Sequence, residues 1–193
     1  MKLMKTLIAG AISLAVIPAM AYEAGDIMVK AGVINVSPKS DSGVDGVEVK
    51  DDTQLAIAMT YMVTDKVGIE VLGATPFEHD IEVNGTKAGS TKHLPPTVSA
   101  QYYPLEPSSA IQPYVGLGIN HTFFFDEELG GADMHLGKSW GLAYSAGCDY
   151  NFDDKLMAGI AIYKMDIDAE IGDSGTDVEI DPTAIMITGG YKF

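Results

Sequence analysis

His79, His93, His121 and His135 are the side chains of this chain best suited to move a proton or hold a metal near neutral pH. No two of them stand at an ordinary metal-ligand spacing, so the sequence implies neither a metal nor a cofactor. His93 beside Ser90 and Thr91 is the one place to look for a rim enzyme, which would need base, acid and nucleophile to converge. No motif fixes such a set, and the chain reads as a non-enzyme. Carboxylates gather at Asp126-Glu127-Glu128 and at Asp166, Asp168, Glu170, Asp173, Asp177, Glu179 and Asp181. They suit a hard cation such as Ca²⁺, but their spacing is not that of an EF-hand; a solvated acidic face is the plainer reading. The remaining chemistry is apolar. Met28, Met62, Met157 and Met165 offer flexible, polarizable contacts of the kind that suit varied hydrophobic ligands, and Leu72 and Tyr163 are bulky enough to form a constriction.

Such residues need a frame, and a period of two supplies it. Eight segments alternate: Gly25–Val36, Thr53–Val63, Val67–Phe77, Leu94–Tyr103, Gln112–Phe125, Ser139–Tyr150, Leu156–Asp168 and the terminal Ile185–Phe193. In the second, Leu55, Ile57, Met59, Tyr61 and Val63 oppose Gln54, Ala56, Ala58, Thr60 and Met62. In the sixth, Trp140, Leu142, Tyr144, Ala146, Cys148 and Tyr150 oppose Gly141, Ala143, Ser145, Gly147 and Asp149. One face is apolar throughout; the other is small, polar or mixed. A water-soluble up-and-down barrel turns its apolar face inward, which here would crowd Trp140, Tyr144 and Tyr150 into one lumen. A membrane barrel turns that face to lipid. We therefore expect an all-β, eight-stranded antiparallel transmembrane barrel. Lys30 and Glu70 then both point inward and are candidates for a buried pair.

The connections fit. Thr64-Asp65-Lys66, Asn151–Lys155 and Pro104–Ile111 are short; Ser37–Asp52, Glu78–Lys92, Asp126–Lys138 and Ala169–Asp181 are long and acidic. Short periplasmic turns alternating with long extracellular loops are the rule for outer-membrane barrels of Gram-negative bacteria. Tyr61, Tyr102, Tyr150, Tyr191 and Phe193 all point outward beside the short turns, where a periplasmic aromatic girdle belongs. Pro95-Pro96 cannot donate ladder hydrogen bonds and mark a local break near the rim.

Residues 1–21 read as a secretory signal, with Lys2 and Lys5, an apolar run from Leu7 to Val16, and Ala19-Met20-Ala21 as cleavage site. The barrel domain is expected over 22–193. All twelve basic residues are Lys, and cleavage leaves ten of them against 27 carboxylates, a charge of −17. That balance excludes nucleic acid as a partner. The hydrophobic fraction of 47% excludes a disordered acidic chain. Cys148 is alone, so no internal disulfide contributes.

The stretches Tyr61-Met62-Val63-Thr64-Asp65, Ala74-Thr75-Pro76-Phe77, His93-Leu94-Pro95-Pro96-Thr97, Pro113-Tyr114-Val115-Gly116, Phe124-Phe125-Asp126, Ser139-Trp140-Gly141, Ile180-Asp181-Pro182 and Gly190-Tyr191-Lys192-Phe193 resemble the OmpW family of outer-membrane proteins. The resemblance spans the mature chain in order and is weakest in the extracellular loops. It implies an eight-stranded barrel in outer-membrane lipid with an apolar interior channel for small hydrophobic molecules. The terminal strand resembles those that bacterial barrels offer to the barrel-assembly machinery. A structural barrel, or a surface receptor for phage, toxin or adhesion partners, is the alternative. On the channel reading, Leu72, Tyr163, Met28, Met62, Met157 and Met165 line the lumen.

Overall fold

The computed structural model describes residues 22–39, 47–129, 132–133, 136–170 and 177–193. Within them run β1 (Ile27–Ser37), β2 (Val47–Val49), β3 (Asp52–Thr64), β4 (Val67–Ala74), β5 (Phe77–Val83), β6 (Thr86–Leu94) and β7 (Thr97–Tyr102). They continue as β8 (Ile111–Leu129), β9 (Ala132–Asp133), β10 (Ser139–Asn151), β11 (Leu156–Met165), β12 (Asp168–Glu170), β13 (Asp177–Glu179) and β14 (Thr183–Lys192). Eight of these close a barrel. Around the ring the antiparallel pairs are β1–β3, β3–β4, β4–β7, β7–β8, β8–β10, β10–β11, β11–β14 and β14–β1. Closure satisfies every strand edge within the ring, which an open sheet could not do in lipid.

The alternation of the sequence becomes the two faces of the wall. Along β3, Ala56, Ala58, Thr60 and Met62 are buried inside, whereas Leu55, Ile57, Met59, Tyr61 and Val63 are exposed outside. Leu55 is 65% exposed and Trp140 69%. These are values for side chains that would be costly to leave in water at roughly 25 cal/mol per Å² of apolar area. The surrounding medium is apolar.

Two features differ from the sequence reading. The stretch 78–92, expected as a loop, is the hairpin β5–β6, in register from Phe77↔His93 to Val83↔Thr86. Its turn is Asn84-Gly85, with φ of 50° and 77°, as a two-residue type I′ turn requires. The long connections also hold β2, β9 and the β12–β13 hairpin, and β8 runs on to Leu129. At the long-loop end the wall therefore rises past the barrel proper as β5, β6 and the outer half of β8. Both arms of the tall hairpin break at one height. The β4–β7 ladder ends at Leu72↔Thr97 and the β5–β6 ladder begins at Phe77↔His93, leaving Gly73–Pro76 and Leu94–Pro96 unpaired with each other. Pro76, Pro95 and Pro96 lack the N–H that would close the gap.

Candidate functional site

At the short-turn end the lumen is shut by a charged floor. Lys30 on β1 sends its Nζ to 3.2 Å from Asp149 Oδ2 on β10 and 3.8 Å from Glu70 Oε2 on β4. All three side chains are almost wholly buried. Tyr22 donates its hydroxyl to Asp149 Oδ2 (2.9 Å), and Tyr163 donates to Glu70 Oε1 (3.2 Å). The ammonium also lies 4.8 Å from the Tyr114 ring centroid, a cation–π contact. Tyr103 packs edge-on to Tyr22, with centroids 4.9 Å apart, and donates to Gln101 Oε1 at 2.8 Å. Two glycines make room for this. A Cβ at Gly147 would collide with the Tyr114 ring, and one at Gly159 with Asp149 Oδ1. A cavity of about 10 Å³ beside Lys30, Tyr114 and Tyr163 has room for about one water.

Above the floor the interior turns apolar. Leu72, Ile34, Val36, Met165, Ile167, Met186, Ala143 and Ala184 are buried there in one cluster with Phe77. Met165 Sδ lies 3.7 Å from Asn120 Nδ2. The same amide donates to the carbonyls of Pro95 (3.1 Å) and Pro96 (3.3 Å), tying the wall together beside the ladder gap.

Each lumen residue singled out from the sequence lies on the inner face and is buried: Met28, Met62, Leu72, Met157, Tyr163 and Met165. They do not form one continuous lining. The register puts Met28, Met62 and Met157 toward the short turns, at and below Lys30, while Leu72 and Met165 lie above the floor. Tyr163 belongs to the floor itself through Glu70. Lys30 and Glu70 meet as their shared direction implied, but Asp149 is the closer partner. The part played by Asp149, Tyr22, Tyr103 and Tyr114 escaped sequence reasoning. Their signal was available in the inward parity of Asp149 and Tyr114, although the pairing of residues 119 positions apart was not.

On the outer surface Tyr61, Tyr102 and Phe193 are exposed and Tyr150 and Tyr191 half-buried, all near the short turns. Tyr191 and Phe193 meet edge to face at 4.8 Å. A second aromatic group stands at the other edge of the apolar band, where His121 stacks on Trp140 at 4.0 Å and Lys138 lies 5.4 Å from the Phe123 ring.

At the rim above the band, His79 and His93 are brought together. Their rings stack at 4.9 Å, between Phe77 (5.3 Å from His93) and Phe124 (6.0 Å). Burial depresses the pKa of both, that of His93 to about 3, where the neighbouring His79 lowers it further and Asp52 partly opposes. Both are neutral at physiological pH. Thr91 sits across the ladder from His79. His135 and Asp173 lie outside the described residues. Among the described residues no group of three His, Cys, Asp or Glu is placed to hold a metal.

Residues 23–193 match the OmpW family. The chain belongs to the OmpW family. Outer membrane protein W of Vibrio cholerae is 40% identical to it over 91% of this chain and 92% of its own length. The crystal structure of OprG from Pseudomonas aeruginosa superposes with a TM-score of 0.79 at 39% identity, covering 91% of this chain and 99% of that one. The solution structure of outer membrane protein W from Escherichia coli gives 0.64 at 34% identity, covering 89% and 99%.

As an OmpW-family barrel the chain resides in the outer membrane of a Gram-negative bacterium, with outer-membrane lipid against Leu55, Val115, Leu117, Ile160 and Ile187. In such barrels the short turns face the periplasm. The floor of Lys30, Glu70 and Asp149 then lies on the periplasmic side, and the histidine pair on the extracellular side.

Proposed function

We propose that this barrel is a conduit for small hydrophobic molecules, which enter from the extracellular side and leave sideways into the bilayer without crossing the floor. The observation that carries the reading is the division of the lumen. Its upper half is lined by Leu72, Ile34, Met165 and Met186, and its periplasmic half is closed by a buried ion pair. An eight-stranded lumen has room for side chains or one small ligand, which excludes bulk aqueous flow. An apolar molecule that reached Lys30, Glu70 and Asp149 would have to displace charges that no water could then reach. The nearest weakness in the wall is the gap between Gly73–Pro76 and Leu94–Pro96, directly above Leu72 and Thr97. Methionines around the path can change rotamer at little cost.

The same reading takes residues 1–21 as a leader removed before Tyr22. Tyr22 then serves as the last element of the floor, with its hydroxyl on Asp149. It also takes the terminal strand, ending on Phe193, as the segment offered to the barrel-assembly machinery. The test is uptake of an apolar solute into liposomes holding the purified barrel. A Leu72→Arg variant that still shifts in mobility on boiling should lose most uptake. Uptake equal to that of the wild type would leave the chain as a structural barrel or surface receptor.

A further inference from the structure

On the inner face of the β5–β6 hairpin three buried polar atoms have no hydrogen-bond partner among the described residues: His79 Nε2, His93 Nε2 and Thr91 Oγ1. Their residues are 2%, 3% and 8% exposed. An orphaned buried polar group costs about 1–3 kcal/mol, so three on one hairpin face call for an explanation. The tautomer of His79 is decided by its surroundings. Its Nδ1 lies 2.6 Å from the Lys50 carbonyl oxygen, which can only accept, so Nδ1 carries the proton and donates. In a neutral ring Nε2 is then a bare lone pair. What it lacks is a donor.

We propose that this cluster is a docking point for the polar end of an uncharged, hydroxyl-bearing hydrophobic molecule, such as a phenol or a medium-chain alcohol. The ligand's O–H donates to His79 Nε2, and its oxygen can accept from the Thr91 hydroxyl across the ladder. Its apolar body lies among Phe77, Ile34, Leu72 and Met165, which share one buried cluster with the hairpin face. The stack of Phe77, His79, His93 and Phe124 offers an aromatic ligand a face to pack against. The charge of the ligand follows from the neighbours. Asp51 and Asp52 are close enough to act electrostatically on His79, and they disfavour a carboxylate or phosphate there. An ammonium would have to be buried without a counter-ion touching it. A ketone, ether or alkane brings no donor and gains nothing from Nε2.

The inference rests on the conduit reading and narrows its cargo, and one experiment separates the two. Wild-type barrel carrying ¹⁵N-labelled histidine in lipid nanodiscs is titrated with p-cresol and, in parallel, with toluene, which has almost the same shape without the hydroxyl. One net hydrogen bond corresponds to a preference for p-cresol of roughly threefold to tenfold. The His79 Nε2 resonance should move with p-cresol and not with toluene. His79→Phe keeps an aromatic ring in the stack, removes the acceptor and should abolish the preference for p-cresol over toluene. Thr91→Val should reduce it without touching the stack. Equal affinities with an unmoved Nε2 signal would overturn the docking point and leave the conduit intact. Failure of both probes to bind, together with absent liposome uptake, would overturn both. Should His79→Phe fail to fold, the wild-type resonance and the Thr91→Val variant decide the matter.

Discussion

The ion pair in the floor makes a sharp quantitative prediction. Lys30→Met keeps length and apolar bulk but deletes the ammonium, leaving Asp149 and Glu70 with like charges in a space with room for about one water. At the 3.2 Å separation from Asp149, an effective dielectric of about 20 gives an attraction of roughly 5 kcal/mol. Taking the ammonium out of water offsets several kcal/mol of this, so the pair adds little net stability over an apolar substitute. Breaking it is another matter, because the partner charges stay buried, and such removals cost about 3–5 kcal/mol. Lys30→Met should lose about that much. The triple variant Lys30→Met, Glu70→Gln, Asp149→Asn should recover most of the loss. It leaves no buried charge in the floor, and Tyr22 and Tyr163 can still donate to the amide oxygens that replace the carboxylates. The assay is reversible urea unfolding in phospholipid vesicles, followed by the emission of Trp140, the only tryptophan of the chain. A loss of under about 1 kcal/mol in the single variant, or a triple variant no better than the single, would refute the argument from uncompensated charge.

Acid should loosen the extracellular rim. An exposed histidine titrates near 6.5, whereas burial holds His93 down to about 3. The open state therefore binds the proton first, and the stability of the stack, full above about pH 6.5, is lost progressively as pH falls toward 3. Amide exchange along 86–94 should accelerate between pH 7 and pH 4 in wild type and stay flatter in His93→Phe; parallel profiles would count against it. Deleting Phe193 should lower the heat-modifiable fraction in the outer membrane of growing cells while leaving refolding into detergent intact, and equal membrane yields would remove its assembly role. Trp140, exposed at the outer edge of the apolar band and stacked on His121, should be quenched by lipids brominated near the headgroup more than by those brominated near the chain end. The reverse order would misplace the band.

The wall of the barrel was legible because lipid imposes a simple rule. A strand in hydrocarbon must present apolar side chains to one side, and an eight-stranded lumen accepts only what fits on the other. Ile57 and Ala58, or Ile187 and Met186, could be assigned to opposite faces from adjacent letters alone. That rule ends where the lipid ends. In 78–92 the outward Glu78, Asp80 and Glu82 are charged and the inward His79 and Thr91, like the adjoining His93, are polar, so the apolar-outside pattern is lost and the stretch resembles a loop. Its strand character depends on the Asn84-Gly85 turn and on pairing with the outer half of β8. The floor was half legible for a different reason. Parity placed Lys30, Glu70 and Asp149 inside, but which charges meet depends on strand tilt and on glycines on neighbouring strands that clear the space. Gly159 matters only because Asp149 lies against it, and Gly147 only because Tyr114 does. The same dependence has a functional side. If the path of a hydrophobic molecule runs above the floor, its lower limit is set by residues drawn from β1, β4, β8, β10 and β11, and by Tyr22 ahead of β1. A substitution at Gly147 or Gly159 would then change where the path ends without touching any residue that lines it.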